Sequence, residues 1–244
     1  HDQTRRQRQM CIRDRYQLLQ SFQLDIEILK KLVCFGLASG LRITLLIFAI
    51  DLTILAFQSY GVEVSTAITV IFTWFQTLFI PVIGLAIGTM RLAGRFVGAR
   101  DLDSASDSVF SGLFLASAYA LILSLACLAV TPAMVELFLE PDSSVATRDL
   151  AIWGTQLNAF LMFILAWSSI LGGALRGAGD TYGVMIISAG FWWLQYALVV
   201  ILIHMFGLHP DDVLTIHVLS SPLLLVAMVM RFRSGTWRKF ELAS

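Results

Sequence analysis

Long apolar runs separated by short polar breaks set the pattern of this chain. Val64–Met90 carries no charged residue and as a helix would reach about 40 Å, enough to cross a bilayer with tilt. Comparable runs fall within Leu32–Tyr60, Ser108–Val135, Ala151–Gly172, Val184–Phe206 and Val213–Met230, giving six predicted spans. The first is interrupted by Arg42 and Asp51, and the last is short and carries Pro222. Pro81 should kink the second, leaving carbonyls that neighbouring groups must satisfy. Arg91–Asp107 reads as a charged connector, and Pro132–Asp149 as an acidic loop with a short helix around Ala133–Leu139. The tightest break is Gly172–Thr181, GGALRGAGDT. There Gly177 and Gly179 permit positive φ and close helix approach, and Asp180 or Thr181 can cap the next helix. Arg176 marks the water boundary. On physical grounds alone this is a hairpin turn between two membrane helices.

Composition turns the pattern into a class. The chain is 57% hydrophobic and 14% charged, with a mean hydropathy of +0.78. No water-soluble domain could cover such a composition with polar surface, so the fold class is an all-α membrane protein, a six-helix transmembrane bundle. The formal net charge of zero hides an asymmetry. Lys30, Lys31, Arg91, Arg95, Arg100, Arg176, Arg231, Arg233, Arg238 and Lys239 fall on one side of the predicted membrane, and Arg148 alone on the other. By the positive-inside rule both ends are cytoplasmic, in a multi-pass protein of the cell (inner or plasma) membrane. Basic residues that line a membrane face give no support to nucleic-acid binding. Cys11, Cys34 and Cys127 show neither pairing nor metal spacing, and the last two lie in apolar runs, where cysteine acts as a small hydrophobe.

Residues 1–15 do not match the rest. Arg5–Arg15, RRQRQMCIRDR, looks like the translation of a transposase adapter used in sequencing libraries, and such a stretch is set aside from fold reasoning. The expected division is then a non-native 1–15, a cytoplasmic lead-in over 16–31, a membrane lobe over 32–232 and a cytoplasmic tail over 233–244. The native start is expected elsewhere, with this chain the back end of something longer.

Asp51 is the sharpest chemical candidate. A carboxylate inside a span is costly unless paired, hydrated or protonated, which makes it an ion-coupling candidate. The alternatives are a shallow, hydrated position or a pair with Arg42, although nine residues set the two about 13–14 Å apart along one helix. Arg42 itself is expected to snorkel. Gln156, Asn158, Gln195 and Tyr196 could line a cavity, with helix–helix hydrogen bonding as the favoured alternative. Trp192 and Trp193 could offer an aromatic surface to a cation or face lipid. His204, His209 and His217 flank the last external loop without metal spacing. No nucleophile elbow, phosphate loop or paired catalytic carboxylates are present, so no enzyme activity, cofactor or resident metal is expected. Ser220-Ser221 before Pro222 reads as helix-kink chemistry. Five GxxxG pairs (Gly36/Gly40, Gly84/Gly88, Gly94/Gly98, Gly173/Gly177 and Gly179/Gly183) are expected to pack helices within the bundle.

Several motifs, in order, resemble the multidrug and toxic compound extrusion (MATE) family. Gly36-Leu37-Ala38-Ser39-Gly40-Leu41 is similar to the start of that family's seventh helix, with Ala38 in place of proline. Phe79–Leu85 resembles its eighth helix, Gly94–Asp101 its following connector with Arg95 for glutamine, and Ala174–Thr181 the corresponding later loop. The resemblance covers about Gly36 to Lys239 and implies the C-terminal six-helix lobe of a twelve-helix transporter. It implies a cation-coupled efflux antiporter, driven by protons or sodium ions, that exports small organic or cationic substrates together with an N-terminal six-helix lobe. Leu46 stands where many members carry an acidic residue, and Gln195 and Ala197 where arginine and proline are frequent. A lipid-linked oligosaccharide flippase of the wider superfamily, or a non-transporting half-size scaffold, are the competing readings. The topology is testable: reporter fusions after Arg100 and after Gly179 should report cytoplasm, and fusions near Ser143 and Pro210 the exterior. An external signal at Gly179 would overturn the six-span assignment.

Overall fold

The computed structural model describes residues 26–139, 143–235 and 237. The adapter-like stretch, the start of the lead-in and the end of the tail lie outside them. The chain divides into two compact units, His1–Leu37 and Ala38–Ser244. Of the first, only residues 26–37 are described, as helix. The bundle belongs to the second.

Among the described residues every regular element is helical. They are α1 (Ile26–Phe57), α2 (Val62–Gly98), α3 (Leu102–Glu136), α4 (Val145–Gly177), α5 (Thr181–His204), α6 (Pro210–Leu219) and α7 (Pro222–Arg233), with a 3-10 turn at Gln58–Tyr60. Among the described residues, six stretches are long and apolar enough to cross a membrane: Gly40–Tyr60, the four helices α2 to α5, and α6 with α7 as one broken span over Pro210–Arg233.

The helices overrun the predicted spans. The expected connector Arg91–Asp107 shrinks to Ala99–Asp101, because α2 runs on to Gly98 and α3 starts at Leu102. Likewise α3 continues through Pro132 to Glu136, so no separate helix forms at Ala133–Leu139. Arginine and alanine are strong helix formers, and nothing at the bilayer boundary stops a helix whose backbone is already paired. Side-chain caps mark three starts. Asp101 accepts from the Ser104 amide at 3.1 Å, Ser144 from Thr147 at 3.3 Å and Asp180 from Gly183 at 3.2 Å. The Ser104 contacts hold the Asp101 carboxyl below its ordinary pKa.

Helix α4 is the axis. In its most apolar window 67% is buried, against at most 39% in the other spans. Its glycines set how close the neighbours come. A Cβ on Gly177 would lie 2.1 Å from the Met90 carbonyl oxygen, one on Gly173 2.5 Å from that of Ala86, and one on Gly94 2.7 Å from that of Gly177. Here α2 and α4 touch backbone to backbone, as small residues one turn apart allow. Gly154, higher on α4, is filled by Ile71, and Gly112 of α3 by Thr89 and Ile170. Two of the other pairs differ from expectation. Gly36, Gly40, Gly84 and Gly88 would place a Cβ in open space, and Gly179 takes φ +101° to turn α4 into α5.

Two apolar cores stack along the bundle. One joins Val82, Ala86, Ala116, Leu165, Ile170, Val184, Phe191, Leu224 and Met228 toward the basic end. The other joins Phe57, Ile68, Ile71, Val135, Leu150, Val199 and Leu214 toward the acidic end. Large exposed apolar residues such as Phe110, Phe114, Ile122, Phe160 and Ile186 clothe the outside, as a lipid-facing surface requires. Gly177→Ala should therefore cost about 1–3 kcal/mol through overpacking, whereas Gly84→Ala should be neutral or slightly stabilising through helix propensity. Melting temperature and monodisperse yield in detergent check the pair. Equal behaviour of the two variants would refute the close α2–α4 contact.

Candidate functional site

Helix α1 turns one stripe to the bundle. Ala49, Thr53 and Phe57 are buried, and Leu46 and Arg42 continue the stripe half-buried. Asp51 is nine residues from Arg42, about half a turn around the helix, and lies exposed on the opposite side with Phe48 and Leu55. No ion pair joins them: among the described residues, the ion pairs are His209–Asp211 and Arg231–Asp180. Asp51 is thus an exposed carboxylate near the middle of the Gly40–Tyr60 stretch, with no ion-pair partner among the described residues.

A second exposed polar face belongs to α2. Thr66, Thr69, Thr73, Gln76 and Thr77 are all exposed on one side of a membrane-length helix, and Gly84 and Gly88 extend that side toward the basic end. Each threonine hydroxyl donates to the carbonyl four residues earlier, at 2.9, 2.8, 2.7 and 2.9 Å. The protons are used within the helix, so the oxygen lone pairs point outward as a row of acceptors about one turn apart. At the acidic end, Gln58, Gly61, Val62, Ser65, Thr66, Thr69, Val70, Thr73 and Phe138 line an open groove of about 510 Å³. Asp51 does not line it, but sits on the face of α1 that leads to Gln58, roughly two turns lower. Acceptor oxygens and a carboxylate, without competing cations, suit water, an inorganic cation or an organic cation. The threonine row carried a signal in the sequence, a repeat at i, i+3, i+7 and i+11 within an apolar run, that a search for charged residues passes over.

The remaining polar residues of the spans fall in different places. Gln195 is 2% exposed. Its amide donates to the His217 carbonyl at 3.0 Å and its oxygen accepts from the Ser220 hydroxyl at 2.7 Å. The same carbonyl also accepts from the Ser220 and Ser221 hydroxyls, at 2.8 and 3.2 Å. This cluster occupies the break between α6 and α7. The Ser221 amide turns to Val218, leaving the His217 carbonyl to side chains. Asn158 is buried and donates to the Gly154 carbonyl at 3.0 Å. Gln156 and Tyr196 are half-buried, and the Trp193 ring meets Tyr196 edge-on at 6.0 Å and Phe48 at 6.2 Å. Trp192 is half-buried and edge-on to Phe191. His217 does not flank the loop; it is 3% exposed within α6 beside Phe72, while His204 and His209 are exposed. At the Gly172–Thr181 turn, Asp180 is 2% exposed. It takes two bonds from Arg231, at 2.7 and 3.0 Å, besides its cap to Gly183.

The family model MatE matches residues 42–201. The chain belongs to the MatE family. The match runs from α1 through α5 and so includes Asp51 and the α2 threonines. Two curated relatives are similar. One is a probable multidrug resistance protein NorM from Mannheimia succiniciproducens, 26% identical over 68% of this chain and 35% of its own length. The other is the uncharacterized transporter YisQ of Bacillus subtilis, 27% identical over 58% of this chain and 30% of its own length. Thus the matched part spans about a third of these relatives. In fold, 90% of the chain superposes on 51% of an inward-facing multidrug resistance MATE family transporter of the MOP superfamily, with a TM-score of 0.76 at 17% identity. The MatE fold therefore accounts for the six spans and their order. Gln195→Leu, which strips the His217 carbonyl of one donor and the Ser220 hydroxyl of one of its two acceptors, should cost about 1–2 kcal/mol. It should lower the melting temperature of the purified protein by about 2–6 °C; an unchanged melt would show that the α6–α7 break does not depend on this residue.

Proposed function

We propose that this six-helix unit is one lobe of a cation-coupled exporter of small organic molecules, facing a second six-helix lobe across the side that bears Asp51 and the α2 threonines. The basic end is then cytoplasmic, in keeping with the positive-inside rule. The observation that carries this reading is the exposed polar strip Thr66–Thr69–Thr73–Gln76–Thr77 on a membrane-length helix. Facing lipid, such a strip gains nothing. Facing a water-filled cavity between two lobes, its lone pairs solvate what passes. Membership of the MatE family and the similarity to a probable multidrug resistance protein support export of drugs or metabolites as the activity.

Asp51 is the coupling residue in this scheme. A carboxylate at mid-span costs least when it holds a proton or a metal cation and most when bare. Exchanging that charge as the cavity opens to either side ties cation entry to substrate exit. Alternating access would expose the Asp51 face to each side in turn, with the groove beside Gln58 as the external mouth. Asp51→Asn keeps the shape but cannot ionise. In the complete transporter in vesicles, it should abolish efflux driven by a pH or sodium jump while leaving expression and insertion intact, and Asp51→Glu should retain part of the activity. Wild-type coupled efflux from a well-expressed Asn variant would remove Asp51 from the mechanism.

A further inference from the structure

A small cavity lies inside the bundle, apart from the exposed polar strip. It measures about 10 Å³, and its walls include Ile71 and Phe75 of α2, Cys127 of α3, and Thr155, Asn158 and Met162 of α4. Ile71 belongs to the core at the acidic end and Met162 to the core at the basic end, so the cavity falls at the seam between the two. No charged residue lines it. Two polar side chains of α4 do. Buried threonines elsewhere in the spans, Thr53, Thr89 and Thr131, donate to the carbonyl four residues earlier. Thr155 is as buried, at 4% exposure, and makes no such bond. Among the described residues its Oγ1 is the one hydroxyl enclosed without a hydrogen-bond partner. Asn158, one helical turn on, gives one amide proton to the Gly154 carbonyl at 3.0 Å, and its amide has a second N–H and an acceptor oxygen besides.

We infer that this cavity binds a single internal water, held by Thr155 and Asn158 at the seam between the two apolar cores. The size fits one water, which needs about 10–15 Å³ and two to four polar partners. A hydroxyl that both donates and accepts, an amide that does the same and the weakly polar Cys127 thiol make up that set. The chemistry excludes the other small occupants. A cation would need several oxygen ligands around it, for which there is neither room nor charge. An apolar guest would leave the Thr155 hydroxyl buried and unpaired, which is costly. Water completes the hydrogen bonding of α4 where the packing of side chains changes from one core to the other.

The test is X-ray footprinting of the full chain in detergent, in which hydroxyl radicals formed from a bound water oxidise the side chains beside it. Met162 and Met228 are 1% and 2% exposed, but only Met162 lines the cavity. In wild type Met162 should be converted to the sulfoxide at least about fivefold faster than Met228. Thr155→Val keeps the shape and removes the hydroxyl. It should bring Met162 down to the rate of Met228 and lower the melting temperature by about 2–4 °C. Thr155→Ser keeps the hydroxyl and should keep the fast labelling. Equal rates for the two methionines in wild type overturn the site, and this comparison decides the matter if the valine variant does not fold. Fast labelling that survives Thr155→Val, or is lost in Thr155→Ser, overturns the role of the hydroxyl. An unchanged or higher melt of Thr155→Val shows a dry cavity with an unpaired hydroxyl and overturns the proposal as well.

Discussion

Backbone contact between α2 and α4 is the constraint on which the bundle depends. In a membrane the hydrophobic effect does not drive helices together, since lipid tails are as apolar as leucine, so close van der Waals packing must do it. Gly173 and Gly177 let α4 settle on the carbonyls of Ala86 and Met90, and Gly94 returns the contact. From that seam follow the central position of α4 and the attachment of α3 through Gly112 and Thr89. The orientation of α2 follows too: pressing its glycine side at Gly94 and its buried side at Ala86 and Val82 against α4 leaves the threonine side facing away. The exposed polar strip is thus the reverse of a packing decision made elsewhere on the same helix.

The spans were legible because apolar length is a direct reading of bilayer thickness. Their ends were not, because a helix does not stop where the hydrocarbon stops. Arg91 and Arg95 look like loop residues in a hydropathy profile and are helix residues in the fold. Glycine spacing was equally ambiguous. Gly84/Gly88 and Gly173/Gly177 have the same separation, yet the first pair faces open space and the second touches backbone. Only the rotation of each helix distinguishes them, and rotation depends on the partner.

The site shows the same limit. A carboxylate at position 51 within an apolar run was visible at once, but its place opposite Arg42 and away from the bundle needed the burial of Ala49, Thr53 and Phe57. Gln195 could equally have served a cavity or a helix contact by sequence, since its partner is a carbonyl 22 residues away. That carbonyl is short of a donor only because α6 breaks before Pro222. The uncharged threonines left a periodic trace that is clear once burial is known. The Gly172–Thr181 turn was the most readable part, because its demands for positive φ at Gly179 and a cap at Asp180 are local.

The break in the last span falls at a particular height. Val213 and Leu214 pack into the core at the acidic end, while Val218, Leu224 and Met228 pack into the core at the basic end. The interruption at Leu219–Pro222 thus lies close to the seam between two separately filled interiors. A rod rooted in both would carry any tilt of the upper layer straight into the lower one. A jointed one yields at the joint, and here the joint is held by hydroxyl and amide donors gathered on one carbonyl, which can lengthen or exchange without exposing apolar surface. In mechanical terms the last span works as a coupling with slack, so that either layer can shift while the other keeps its packing.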